Sequence, residues 1–159
     1  MRLLRWLRVY RTPLDRAPVE RAAQAKDDEI SRQVIERLAE DESLRGELTD
    51  DAFKPILDWV MSLIPAAAHR AAPEPDPDEA AERLSDAARQ TVRTLVRAVS
   101  GGETSSLRDQ LQPPLLTADE ADLARQAVPS DRLPGSSATE RARALIAALK
   151  SALSEKSAG

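Results

Sequence analysis

The sequence predicts an all-α protein: a small irregular helical bundle of about four main helices plus short helices, with no sheet. Aromatic residues make up 3% of the chain and hydrophobic residues 42%, so the core must be built from leucine, alanine, valine and isoleucine, a mixture that suits helix packing. Five glycines are too few for the turns of a many-stranded β fold. No segment alternates apolar and polar residues for long enough to indicate a strand. With 159 residues, the chain has the length of one domain with a buried core.

Residues 48–72 form the predicted central helix, because they hold the densest run of large apolar side chains. The spacing of these side chains puts them on one stripe of a 3.6-residue helix, which consists of Phe53, Ile56, Leu57, Val60, Met61 and Ile64. Thr49 or Asp50 is the expected N-cap. Pro55 and Pro65 interrupt the stripe, so we expect a kink or a new helix start at each.

The first eleven residues predict a short basic amphipathic helix. Its apolar residues recur at i, i+3, i+4 and i+7, and four arginines cover the other side. The predicted binding residues of this arm are Arg2, Leu3, Arg5, Trp6, Leu7, Arg8, Tyr10 and Arg11. Thr12 and Pro13 are expected to end the helix, and a brief linker follows to Ala17.

Two long helices flank the central one in the predicted order. Pro18 opens the first, which runs to about Glu40 and has a possible break at Asp27 and Asp28. Its buried side is predicted to be Val19, Ala22, Ala23, Ile30, Val34, Ile35 and Leu38. Asp78 is expected to cap the second, which ends at Ser100 before two glycines. Its stripe is Ala81, Leu84, Ala88, Val92, Leu95 and Val99.

Shorter helices are predicted toward the C-terminus. A turn at 105–110 and a break at 113–114 precede a helix over 117–128, which Thr117 and Glu120 open with the spacing of a capping box. Ser137 and Glu140 repeat that spacing before the last helix. The stripe of this helix is Ala142, Leu145, Ile146, Leu149, Ala152 and Leu153, and the tail 154–159 is expected to fray.

The predicted organisation has four parts within one domain. A basic N-terminal arm (1–16) precedes a helical core half (17–72), a stiff proline and acid connector (73–78) and a second helical half (79–159). The connector leaves open the alternative that 79–159 forms a separate layer. The net charge of −4 is uneven: the arm has five arginines against one aspartate, which is +4, so the remainder carries −8.

Several kinds of site are disfavoured by the residues present. The chain has no cysteine, which removes thiol chemistry and cysteine-based metal sites, and His69 is its single histidine. His69 lies near a predicted helix end, where a histidine is favourable through the helix dipole. The segment SGGETSS at 100–106 lacks the lysine and the preceding strand of a phosphate loop, so its glycines are interpreted as a helix end.

The acidic residues and Trp59 have ordinary structural interpretations as well. Asp50 and Asp51 stand where a helix N-terminus favours acids, and Asp58 falls on the polar side of the central helix. Glu36 and Glu40 repel each other mildly at i and i+4, which indicates an exposed face. We expect Trp59 to pack in the core, with an interface anchor as the alternative.

These observations predict a non-catalytic helical interaction or assembly module and not an enzyme. No cofactor, metal or small-molecule substrate is expected, and the partner is a protein or a second copy of the chain. The alternatives are a peripheral membrane-surface protein anchored by residues 1–11 and a nucleic-acid-associated protein acting through the arginine-rich arm. A further alternative is that the arm folds back on the acidic segment 27–51 of its own chain. The expected location is the cytoplasm, with peripheral membrane association as an option.

Overall fold

A computed structural model of the chain describes residues 13–73, 76–101, 104–129 and 132–158, with side chains described between residues 24 and 154 of these ranges. Within them the fold is all-α, without a β-strand. The described residues form six α-helices: α1 (Pro13–Glu40), α2 (Asp50–Ala71), α3 (Pro77–Gly101), α4 (Ser105–Gln110), α5 (Ala118–Ala127) and α6 (Ala138–Ala158). A 3-10 helix, Glu42–Arg45, lies between α1 and α2. The predicted helical bundle is confirmed.

Helix α3 is the central element of the packing. It contacts α1, α2, α4, α6 and the 3-10 helix, while α2 also packs on α1 and α6. The described helices before and after the connector therefore bury their apolar faces against each other, in one hydrophobic cluster that extends from Ile30 to Leu149. The predicted stripe of α3 is confirmed, because all six of its residues are buried.

Helix α1 differs from its prediction at two places: its first residue and the expected break at Asp27 and Asp28. It begins at Pro13, where a linker was expected, because proline has the φ of a first helical residue and loses no hydrogen bond there. It also continues through Asp27 and Asp28 without a break. Asp27 is buried and contacts a side chain of α2, which explains why this acid is compatible with the inner face.

Helix α2 is continuous through Pro55 and Pro65, so the alternative of a new helix start at each proline is wrong. Each proline removes one backbone hydrogen bond, and the buried residues on both sides offset that cost by packing in the core. Thr49 is the N-cap and accepts a hydrogen bond from the Ala52 amide, as one of the two predicted alternatives requires. The buried face is centred closer to Ala52 and Trp59 than the predicted stripe, so Phe53, Leu57 and Met61 are only partly buried.

The start of α3 corrects the predicted cap. Asp76, not Asp78, is in the capping position: its carboxylate accepts from the Asp78 amide at 2.9 Å, and its carbonyl accepts from Ala80. Pro77 is the first helical residue, so part of the connector belongs to α3. Asp78 instead accepts a hydrogen bond from Gln33 of α1 at 3.0 Å.

The C-terminal helices follow the predicted caps. Thr117 and Glu120 form the complete capping box of α5. Ser137 accepts from the Glu140 amide at 3.2 Å, and the Glu140 carboxylate accepts from the amide of Ser136. The hydrogen bonds from Ser136 hold the pKa of Glu140 below its ordinary value. Helix α6 continues to Ala158, into the tail for which fraying is predicted.

Candidate interaction groove

The connection between α1 and α2 is a short ordered turn. Asp41 caps the 3-10 helix by accepting a hydrogen bond from the Ser43 amide at 3.1 Å, and Gly46 ends it with a φ of 56°, which is unfavourable for other residues. Leu44 and Leu48 are buried and hold the turn against the core. The packed turn thereby places the end of α1 near the start of α2.

A cleft of about 720 Å³ opens between the end of α1, the 3-10 helix and the start of α2. We call it the α1–α2 groove. Its lining residues are Leu38, Ala39, Asp41, Glu42, Arg45, Gly46, Asp50, Asp51, Phe53, Lys54 and Leu57. A volume of this size is in the range of binding pockets.

The groove has an apolar floor that the fold leaves partly open. Leu38 is 2% exposed and belongs to the core, whereas Phe53 and Leu57 pack against the core but are only partly buried. The guanidinium of Arg45 lies 5.7 Å from the centroid of the Phe53 ring, which is a cation–π distance. Large apolar side chains that remain half-exposed in a concave surface are typical of a binding site.

The rim of the groove is acidic. Its lining has four carboxylates and two cations, a net charge of −2. Arg45 forms an ion pair with Asp50, while Glu42 and Asp51 take part in no ion pair among the described residues. Within the described residues, no cation neutralises these two carboxylates of the groove lining through an ion pair.

Asp41 has a structural role in the same rim. Hydrogen bonds from Ser43, first from its hydroxyl, and the nearby guanidinium groups of Arg89 and Arg93 hold the pKa of Asp41 below its ordinary value. The Nε atom of Arg89 lies 3.5 Å from the carboxylate and Nη2 of Arg93 lies 3.9 Å from it. Asp41 therefore stays ionised and connects the turn to α3.

The predicted binding residues of the arm all lie outside the described residues. This applies to Arg2, Leu3, Arg5, Trp6, Leu7, Arg8, Tyr10 and Arg11. Their assignment stays a prediction.

His69 and Asp27 form the second polar feature of interest. Nδ1 of His69 lies 2.6 Å from Oδ2 of Asp27, and the histidine side chain is 77% exposed, near the end of α2 as expected. The other carboxylate oxygen of Asp27 is buried without a hydrogen-bond partner. No nucleophile among the described contacts completes a triad with this pair.

The other residues considered from the sequence lie at separate positions. Trp59 is buried at 2% exposure, which favours its core interpretation. Asp58 is exposed, and Glu36 pairs with Arg32 on the surface of α1. Thr104 is buried after α3, which ends at Gly101. In the part of the chain that the structure describes, no group of three or more histidine and acidic side chains is arranged to hold a metal ion.

Sequence reasoning missed the groove because it assigned Phe53 and Leu57 to the buried stripe. One signal could have indicated it: with Trp59 included, the apolar residues of α2 extend around more of the helix than one buried face needs. The acidic cluster around the turn, from Asp41 to Asp51, was visible in the sequence. Only the fold shows that this cluster borders the surplus apolar residues.

Comparisons with known proteins add no further assignment. No protein-family model, curated protein or solved structure matches the chain significantly. Among the helices described, none has both the length and the apolar character needed to cross a membrane.

Proposed function

We propose that this protein is a non-catalytic helical interaction module that binds a basic amphipathic helix in the α1–α2 groove. The observation that carries the proposal is the combination of an apolar floor, formed by Leu38, Phe53 and Leu57, with an acidic rim. Recognition of an amphipathic helix in a groove uses apolar anchors on one face of the ligand and charges at its edges. In this groove the apolar floor can accept the ligand's apolar anchors, and the acidic rim can pair with its basic edge residues.

The acidic rim selects the charge of the ligand. Glu42 and Asp51 can pair with arginine or lysine side chains at the edge of a bound helix, while an acidic helix would meet like charges. Nucleic acid phosphates would be repelled for the same reason. The membrane-surface and nucleic-acid alternatives rest on residues 1–11 alone and not on this groove.

The test is direct binding of a synthetic helix to the full chain. Leu3→Glu and Leu7→Glu are introduced together to prevent competition by the chain's own arm. The ligand is a fluorescein-labelled peptide of about 14 leucine and arginine residues with apolar positions at i, i+3, i+4 and i+7. We expect saturable binding by fluorescence anisotropy, and no binding of a leucine and glutamate peptide with the same apolar pattern.

Two substitutions on α2 provide the matched pair. Leu57→Glu places a charge in the groove and should weaken binding by about tenfold or more. Met61→Glu lies one turn further on the same partly buried ridge but outside the groove lining, so it should leave binding unchanged. Circular dichroism checks that both variants are folded. Absence of binding to the leucine and arginine peptide, or equal binding by the Leu57→Glu variant, would overturn the proposal.

A further inference from the structure

We infer that the natural occupant of the α1–α2 groove is residues 1–11 of a second copy of this chain, so that two copies exchange their basic arms. This inference rests on the proposed function and names the ligand for it. The arm has the required anchor pattern, because Leu3, Trp6, Leu7 and Tyr10 stand at i, i+3, i+4 and i+7. Tryptophan and tyrosine are also the residue types that dominate binding energy in interfaces.

The charges of the two surfaces are complementary. The arm carries four arginines within residues 1–11 and no acid, while the groove lining has a net charge of −2. Arginine at these positions can form paired hydrogen bonds with the free carboxylates of Glu42 and Asp51. Within the described residues, no other segment occupies the half-exposed floor at Phe53 and Leu57.

The length of α1 prevents an arm from reaching the groove of its own chain. α1 starts at Pro13, and its groove residue Leu38 is 25 positions later, about 38 Å along the helix axis. From Tyr10 to Pro13 the chain can span at most about 11 Å, and the helix predicted from Leu3 to Tyr10 would add about 10 Å. None of the four anchors can therefore enter the groove in cis. The arm must come from another molecule.

Exchange between two copies produces a closed assembly. If two α1 helices lie antiparallel, the start of one is beside the end of the other, and both grooves are filled by the same symmetry operation. Each copy then donates one arm and accepts one arm. The expected species is a dimer and not a growing filament.

The absence of cysteine makes a disulfide trap selective. One full-length protein carries Leu7→Cys, which keeps an apolar side chain in the arm, and the other carries Ala39→Cys at an exposed position of the groove lining. The two are mixed and oxidised with glutathione disulfide. We expect a covalent heterodimer on non-reducing gels.

Two control positions test whether the trap reports specific docking. Val9→Cys falls outside the predicted apolar stripe of the arm, and Ala66→Cys is an exposed position of α2 away from the groove. Each should give less than about one-tenth of the heterodimer formed by the original pair if docking is specific. Equal cross-linking by the control positions would overturn the inference.

A double variant with Leu7→Cys and Ala39→Cys in one chain separates exchange from folding back. The link should join two chains and decrease on dilution. A disulfide within one chain at high dilution would overturn arm exchange, because it would require the cis contact that the length of α1 excludes.

Oligomeric state provides the second measurement. The wild-type chain should sediment as a dimer at tens of micromolar, while Leu3→Glu with Leu7→Glu, or Leu57→Glu alone, should give monomers. Mixing these two variants should restore a dimer, because one intact arm still meets one intact groove. A wild-type monomer, or a dimer that survives both sets of changes, overturns the inference.

Failure of the inference and failure of the proposed function give different results. If the synthetic leucine and arginine peptide binds the groove but no cross-link or dimer forms, the groove function stands and its occupant is another basic helix. If binding of the chain to anionic lipid vesicles is lost on changing Leu3 and Leu7 while the wild type remains a monomer, the arm acts at a membrane and arm exchange is excluded. If the peptide does not bind, the proposed function itself fails.

Discussion

Nδ1 of His69 lies 2.6 Å from Oδ2 of Asp27 and connects the last turn of α2 to the middle of α1. The two residues are 42 positions apart in the chain. The Asp27 side chain is 11% exposed, and its second oxygen has no hydrogen-bond partner. Among the described residues, His69 is therefore the only hydrogen-bond partner of the nearly buried Asp27 carboxylate.

Removing the imidazole should destabilise the fold. His69→Ala leaves the Asp27 carboxylate without its partner, and we expect the free energy of unfolding to fall by about 1 kcal/mol. This is the low end of the usual cost of an unpaired buried polar group, because water can replace the exposed imidazole. The measurement is urea unfolding. Asp27→Ala should cost less in the His69→Ala background than in the wild type, because the unpaired carboxylate is removed. Additive effects of the two changes would contradict the coupling, and Asp28→Ala on the exposed side is the control.

Trp59→Ala should be the most destabilising single change in α2. The indole is 2% exposed, and replacing a buried tryptophan by alanine costs about 3 kcal/mol or more through lost burial and the cavity left behind. Thermal and urea unfolding measure the loss. Met61→Ala, on the partly buried ridge of the same helix, should cost on the order of 1 kcal/mol. Similar losses for both variants would mean that the two side chains are buried to the same extent.

The cap of α3 should depend on Asp76. Asp76→Ala removes the carboxylate that accepts from the Asp78 amide, and we expect a loss of about 1 kcal/mol in unfolding free energy. Asp78→Ala should cost less, because that side chain accepts a bond from Gln33 at the surface and does not cap the helix. A larger effect at Asp78 would restore the cap predicted from the sequence.

The turn beside the groove should have an acid-sensitive contribution to stability. The pKa of Asp41 is below its ordinary value of 3.8 in the folded chain, first because of the Ser43 hydroxyl. A lowered folded pKa stabilises the fold above the unfolded pKa, and this contribution is lost as the pH falls through the folded value. Ser43→Ala should therefore lower the melting temperature at pH 7, and the difference should shrink only below pH 3.8. A difference that is constant with pH would exclude ionisation of Asp41 as its cause.

The interactions that could be predicted from the sequence are local ones. Thr117 and Glu120 form the capping box that their spacing predicts, and Thr49 is one of the two N-caps predicted for α2. Each of these contacts joins residues three positions apart. The stripe of α3 is buried as predicted, since that helix packs against neighbours on many sides and its apolar residues have one dominant face.

Which side of α2 is buried depends on the helices packed around it. Its apolar side chains exceed one face, and the positions of α1, α3 and α6 determine that Trp59 is buried while Phe53 and Leu57 remain half-exposed. The packing of α2 against those helices also offsets the backbone hydrogen bonds lost at Pro55 and Pro65. From the local sequence alone, a proline inside a helix predicts a kink or a break.

The all-α class, several helix caps and the buried stripe of α3 thus follow from local patterns in the amino-acid sequence. The groove and the contact between His69 and Asp27 depended on the tertiary structure, because both bring together residues from different helices. Helix periodicity and capping depend on residues a few positions apart, so both can be predicted from a short stretch of sequence. The partial exposure of Phe53 and Leu57, and the acidic residues beside them, depend on contacts between helices that are distant in sequence.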